Sequence, residues 1–258
     1  MGRMRSELRG DCHVHTDWSD GGDTLPAMVG AAAESGHDYV VITDHSPRLK
    51  IANGLTSARL RQQLEVIQAV NETLAGTGFR VLTGIEADIL ADGSLDQDPA
   101  LLAVLDVVVG SVHSELRMDK GAMTRRMVKA LANPHLDILG HCTGRKLGVA
   151  TDSSHSTRRR PPSNFDANTV FEAALRYDKA IEINCRPDRL DPPSALLKKA
   201  TQVEGLRFAI DSDAHAVPQL DWLTYGCERA EAAGIKPNRV VNAWTADELL
   251  AWTASHGG

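Results

Sequence analysis

The chain is poor in cysteine. Four residues in 258, Cys12, Cys142, Cys185 and Cys227, lie far apart and form no Cys-x-x-Cys pair. That argues against a disulfide framework and a thiolate zinc site, and predicts reduced thiols. No apolar run approaches the roughly 18 residues that span a bilayer, and the start, Met1-Gly-Arg-Met-Arg-Ser-Glu7, lacks the apolar stretch of a secretion signal. A cytoplasmic protein that avoids membranes is expected. Excess positive charge is missing too: the formal net charge is −6, which argues against a broad nucleic-acid surface, since phosphate backbones are held by clustered Lys and Arg. The local exception, Arg158-Arg159-Arg160, lies in a polar stretch from Thr151 to Asn164 that reads as a mobile, solvated loop rather than a domain linker. There is no internal repeat and no low-complexity tract. With 42% hydrophobic residues the chain can bury a large core, and a single domain over residues 1–258 is expected.

Histidine is placed with a pattern. In Gly10-Asp-Cys-His-Val-His-Thr-Asp-Trp-Ser-Asp-Gly-Gly22 a short strand ends in His13 and His15, followed by a turn. Side chains two apart in a strand share a face, so both imidazoles aim at one spot while Cys12 and Val14 aim at the other. Asp20, in a Ser-Asp-Gly-Gly turn, can fold back towards them. Two surface histidines before a loop would be the ordinary reading of an isolated His-x-His. The rest of the chain argues otherwise.

Leu25 to Ser35 carries apolar residues at helical spacing, with Thr24 as N-cap, Pro26 in the first turn and Gly36 as the stop. Tyr39 to Thr43 is a β-branched run that ends in Asp44-His45. A helix over Ser57 to Leu74 precedes a strand, Phe79 to Ile85, that ends in Glu86. Leu105 to Val112 delivers His113; a helix from Met123 to Leu131 follows, and His135 to Gly140 delivers His141. A helix over Asn164 to Tyr177 leads to a strand, Ala180 to Asn184, with Glu182 and Asn184 on one face. Ser194 to Val203 is helical, and Leu206 to Ile210 delivers Asp211, Asp213 and His215. Leu220 to Gly258 is helical in outline and would close and cover the barrel.

Strands alternating with helices imply a parallel sheet with right-handed crossovers, and seven such units suit a distorted TIM-like (β/α)7 barrel of the α/β class. Barrels of this kind carry their active site at the C-terminal strand ends. His13, His15, His45, Glu86, His113, His141, Asp213 and His215 all lie at or just beyond such ends, so six of the ten histidines meet in one pocket. Without metal, several imidazoles and carboxylates would need other partners for their desolvated groups. His37, His135, His155 and His256 fall elsewhere and are expected to be structural or solvated.

These residues also carry a family resemblance. His-x-His with Ser-Asp-Gly, Thr-Asp-His-Ser, Gly-Ile-Glu-Ala-Asp-Ile-Leu-Ala-Asp-Gly-Ser-Leu-Asp, Gly-Ser-Val-His-Ser, Asn-Pro-His-Leu-Asp-Ile-Leu-Gly-His and Asp-Ser-Asp-Ala-His together resemble the PHP (polymerase and histidinol phosphatase) superfamily. The variant resembled most is the C-terminal PHP domain of bacterial family X DNA polymerases, and a stand-alone chain with no nucleotidyltransferase region before Gly10 is expected. The resemblance implies a distorted seven-stranded barrel with a trinuclear metal site. Carried over, it gives the first metal His13, His15, Glu86 and Asp213. Glu86 bridges to a second metal held by His113 and His141, and Asp20, His45 and His215 hold the third. A metal-bound water as nucleophile, with Glu86, His113 and His45, is then the expected catalytic group.

Three divalent ions against the carboxylates of Asp20, Glu86 and Asp213 would leave the pocket positive, and such a pocket selects an anion. Imidazole and carboxylate donors fit Zn, Mn or Fe equally well. Asp44 and Asp211 adjoin ligands and are candidates for orienting imidazoles, or for capping strand ends. Arg145, Lys146, Arg186 and Arg189 are candidates for holding the substrate phosphate, with surface solvation as the alternative. The expected activity is metal-dependent phosphoesterase hydrolysis of a small phosphorylated metabolite or nucleotide. Two alternatives stand beside it: a 3′–5′ exonuclease acting on a DNA 3′ end, and a non-catalytic, metal-stabilised module that docks to a polymerase or repair protein. The oligomeric state is not readable.

Overall fold

The structure, a computed structural model, describes residues 2–148 and 159–256. Seven strands, β1 (Gly10–Val14), β2 (Tyr39–Ile42), β3 (Arg80–Asp88), β4 (Val107–Ser111), β5 (Ile138–Leu139), β6 (Ala180–Asn184) and β7 (Arg207–Asp211), form one parallel sheet in sequence order. The described helices are α1 (Arg3–Glu7), α2 (Leu25–Glu34), α3 (Ser57–Thr73), α4 (Pro99–Leu102), α5 (Lys120–Leu131), α6 (Ala167–Arg176), α7 (Ser194–Thr201), α8 (Leu223–Ala232) and α9 (Ala246–Ala254). None is long and apolar enough to cross a membrane. In-order parallel pairing with intervening helices curls the sheet into a nearly closed barrel.

Between β1 and β7 the ladder reduces to a bridge from Val14 to Ala214. Here the buried carboxamide of Asn242 acts as a staple. It donates to Gly10 O at 3.0 Å and to Ile210 O at 2.6 Å, and accepts the Ile210 N–H at 3.0 Å. Backbone groups that a closed ladder would pair are thereby satisfied.

Alternation along the strands sorts the core. Inside the barrel, Cys12, Tyr39, Val41, Leu82, Val107, Val109, Ile138, Ala180 and Ala209 pack with Val241, Leu249 and Trp252 from the chain's end. α9 thus covers the floor, and a capping box between Thr245 and Glu248 fixes its start. Outward residues such as Ile85, Val108, Ile181, Phe208 and Ile210 join a larger cluster with the surrounding helices. Thr24 caps α2 by accepting the Ala27 N–H at 3.4 Å, with Pro26 in the first turn, as its sequence predicts.

Four departures have local causes. β1 carries a register shift between Asp11 and Val14. An irregularity of this kind breaks strict alternation, and Cys12 joins the floor cluster while Val14 packs outward with α2. Those two residues therefore do not share a face. β3 continues through Glu86 to Asp88, so Glu86 lies within the strand rather than beyond it. β5 shortens to two residues, and α1 and α4, too short for a hydrophobic period to show, are additional.

The arginine run divides. Arg158 lies outside the described residues, as do His155 and most of the polar stretch, whereas Arg160 pairs antiparallel with Lys146, each N–H donating to the other's carbonyl at 2.9 Å. The Arg160 guanidinium donates to Gly144 O at 2.7 Å. Residue 160 is thus tied to the segment after β5 rather than freely solvated, and Arg159 is exposed.

Candidate metal centre

The upper half of the barrel interior is polar where the lower half is apolar. Glu86 lies at its middle. Its Oε2 is 3.4 Å from His13 Nε2, 3.6 Å from His15 Nε2 and 2.8 Å from His45 Nδ1. Its Oε1 is 2.8 Å from His141 Nε2 and 3.3 Å from His113 Nε2. Five imidazoles from four strands therefore converge on one carboxylate of β3. Asp213 Oδ1 is 3.4 Å from His15 Nε2, and Asp20 Oδ1 is 3.4 Å from both His45 Nε2 and His215 Nε2. All nine candidate ligands are brought together.

Three overlapping groups have donor atoms close enough to share an ion: His13, His15 and Asp213; His15, Asp20, His45 and His215; and His45, Glu86 and His113. The fit to metal can be tested on the unpaired atoms. His13 Nε2, both nitrogens of His15 and of His113, His45 Nδ1 and His141 Nδ1 are buried without a hydrogen-bond partner. Buried polar atoms are nearly always partnered, so a convergent set of bare nitrogens facing carboxylates fits divalent cations.

The charges are arranged consistently. Burial alone would raise Glu86, yet His113, His13 and His45 hold it well below the usual carboxylate range. Burial is likewise overcome at Asp213, which Arg186 and His13 hold well down. His15 is pushed well below the usual imidazole value by burial and by His215 and His45, which keeps its nitrogens free to donate lone pairs.

The ligands are held in place by residues to which sequence reasoning gave no role at the site. Glu182 Oε1 lies 2.5 Å from His13 Nδ1, and its other oxygen accepts the His141 backbone N–H. With Nδ1 engaged, His13 turns Nε2 to the centre. Asp88 accepts the His113 N–H at 3.1 Å. Asn184 links Glu182 Oε2 and Asp213 Oδ2, at 3.2 and 3.0 Å. A signal was present in each case: Glu182 stands two before Asn184, and Asp88 two after Glu86, on the inward face.

The two carboxylates considered for orienting imidazoles bond elsewhere. Asp44 accepts from Thr16 Oγ1 at 2.6 Å, Ser19 Oγ at 2.5 Å and Gln63 Nε2 at 2.6 Å, and so holds the turn that presents Asp20. Asp211 accepts the Cys12 N–H at 3.0 Å across the β1–β7 seam, and burial with Glu182 and Asp11 nearby raises it well above the usual carboxylate range.

The four candidate phosphate cations also divide. Arg145 donates to the carbonyls of Arg189, at 2.8 Å, and Leu190, so it clamps the loop after β6 and does not line the central cavity. Lys146, Arg186 and Arg189 do line it, together with Asp20, His45, His113, Asp213 and His215. Arg189 is buried, with Nε and Nη1 unpartnered although Nε is 3.3 Å from Asp213. Burial, with Arg189 and Arg186 alongside, lowers Lys146 to about 8, and it pairs with Asp188 at 2.6 Å.

A parallel barrel with acidic and imidazole donors gathered at its C-terminal strand ends defines a class, the metal-dependent barrel enzymes. Residues 11–186 match the family model described as the PHP domain. Over 246 residues the chain is 37% identical to the DNA polymerase/3′-5′ exonuclease PolX of Bacillus subtilis, covering 95% of this chain but only 41% of that relative's length. It is 30% identical to a probable phosphatase of Caldanaerobacter subterraneus, over 83% of this chain and 79% of the relative. Among solved structures, a histidinol phosphate phosphatase from Lactococcus lactis, in complex with Zn, L-histidinol and phosphate, superposes with a TM-score of 0.60 at 17% identity, covering 89% of this chain and 95% of the other. The chain belongs to the PHP domain family.

Proposed function

We propose that this chain hydrolyses small phosphate monoesters at a centre of three divalent ions held by His13, His15, Asp20, His45, Glu86, His113, His141, Asp213 and His215. The wider class, a metal-dependent phosphoesterase, rests on family membership and on relatives named as probable phosphatases. The single observation that carries the finer reading is that one cavity of about 280 Å³ is lined both by five of the nine candidate ligands, Asp20, His45, His113, Asp213 and His215, and by three cations. The volume lies just under the roughly 300–1,000 Å³ typical of small-molecule sites. Zn is the metal in the L. lactis neighbour; the donor set here suits Zn, Mn or Fe.

Divalent ions bound there supply Lewis acidity, polarising phosphoryl oxygens and lowering the pKa of water. The chain's own residues do the rest. Lys146, Arg186 and Arg189 bind the phosphate oxygens and balance the charge that develops on them. Glu86 holds the donor set together, Glu182 fixes His13, and Asp88 fixes the start of the loop carrying His113. His45 and His113 face Glu86 from the neighbouring strand ends and would complete the donor set on either side of it.

Identity to the B. subtilis polymerase and exonuclease favours a second reading, stepwise removal of nucleotides from a DNA 3′ end. One assay separates the two. Metal-quantified protein is offered a phosphomonoester panel and, in parallel, a labelled single-stranded oligonucleotide, with His113→Ala as control. Phosphate release with an intact oligonucleotide is the expected result; stepwise shortening would favour the exonuclease. Inactivity on both with metals bound would favour a non-catalytic module.

A further inference from the structure

The mouth of the cavity has two unlike walls. One carries Lys146, Arg186 and Arg189, from the loops after β5 and β6; the other carries Leu49, Ile51 and Ala52, from the loop after β2. In a seven-stranded barrel ordered β1 to β7, these loops stand across the opening from each other. Ile51 is 96% exposed, the most exposed of the large apolar side chains described. Its turn is nevertheless tightly built. Lys50–Ala52 forms one 3-10 turn, the Leu55 N–H returns to His45 O at 2.7 Å, and Arg59 donates to Asn53 O at 2.6 Å. Gly54 packs so closely that an added Cβ would lie 1.9 Å from Ser46 O. A rigid turn that holds an isoleucine in water at the rim of a charged cavity leaves apolar surface unburied in the free protein.

We propose that the Leu49–Ala52 turn reads the leaving group, and that the substrate is a phosphate ester whose alcohol portion presents an apolar or aromatic face to Ile51 while its phosphate sits on the opposite cations. The inference rests on the phosphoesterase reading and deepens it. A ligand of this kind covers Ile51 and spans the cavity, and the cavity leaves room for a phosphate and one compact group.

The test is binding of two non-hydrolysable dianions, phenylphosphonate and methylphosphonate, to the metal-loaded protein by calorimetry, in wild type and in Ile51→Ser. Wild type is expected to bind phenylphosphonate about tenfold tighter, the scale of apolar discrimination in a pocket. In Ile51→Ser that ratio should fall to within about twofold, with methylphosphonate affinity unchanged and Ile51→Leu keeping the preference. Binding of both phosphonates with equal affinity in wild type, or with a ratio that Ile51→Ser leaves alone, would overturn the role of the turn and leave the phosphate site standing. Failure of both phosphonates to bind would remove the phosphate site, and this inference with it.

Discussion

The lower and upper halves of the barrel interior are made by the same strands and the same alternation, yet their chemistry is opposite. On β3, Leu82 packs in the floor and Glu86, four residues on, collects five imidazoles. On β6, Ala180 lies in the floor and Glu182 fixes His13. Two residues along a strand exchange a side chain that stabilises by burial for one whose burial costs free energy unless a partner is supplied. The floor is expected to carry stability and the upper half function, and each can be broken without the other.

The largest effect is expected at the shared carboxylate. Glu86→Gln should lower kcat/KM by about a thousandfold or more, the scale of several kcal/mol of lost charge stabilisation, with circular dichroism and the urea midpoint of the metal-free protein little changed. The reverse experiment is Leu82→Ala in the floor. It should cost about 2–5 kcal/mol of unfolding free energy, read by urea titration, while activity per folded molecule holds. Smaller is Glu182→Gln, which should weaken metal affinity about 10–100-fold, measured by competition with a chelator, because it frees His13 to turn.

His37 sharpens the contrast from outside the centre. It is buried with both ring nitrogens unpartnered, but among the described residues it shares no donor group with another ligand. Burial, with Arg5 nearby, lowers it to about 4. The unfolded chain, titrating near 6.5, therefore binds more protons between those values, so this contribution to stability is present above about 6.5 and is lost as pH falls towards 4. Between pH 7 and pH 5 the wild type should lose about 2 kcal/mol more than His37→Leu, read by urea unfolding at both pH values. The smallest effect belongs to Lys146→Ala, expected to lower kcat/KM for a phosphomonoester about tenfold, since it removes one of three charged contacts to the phosphate.

How much of this could be read beforehand follows from range. Seven strands and six gathered histidines were legible because alternation and strand ends are local patterns, and the barrel rule turns strand ends into one place. The family resemblance rested on the same positions. Glu182 was seen on the right face, but its partner His13 lies 169 residues away, and no local pattern encodes that distance. The shift in β1 was hidden for a related reason: it is a property of pairing with β2, so Cys12 read as facing away from the pocket side. Arg145 and Lys146 are adjacent and alike in charge; only the loop after β6 decides that one holds backbone and the other faces the cavity. Asp44 and Asp211 read as neighbours of ligands and proved to brace a turn and a seam.

The central claim, that the upper half of the interior is one multi-metal centre, is tested most directly by counting metal. Purified wild-type chain, saturated with Mn or Zn, freed of loose ions and analysed by mass spectrometry for metal per chain, is predicted to retain close to three. Retention of none, or of no more than one, would contradict it.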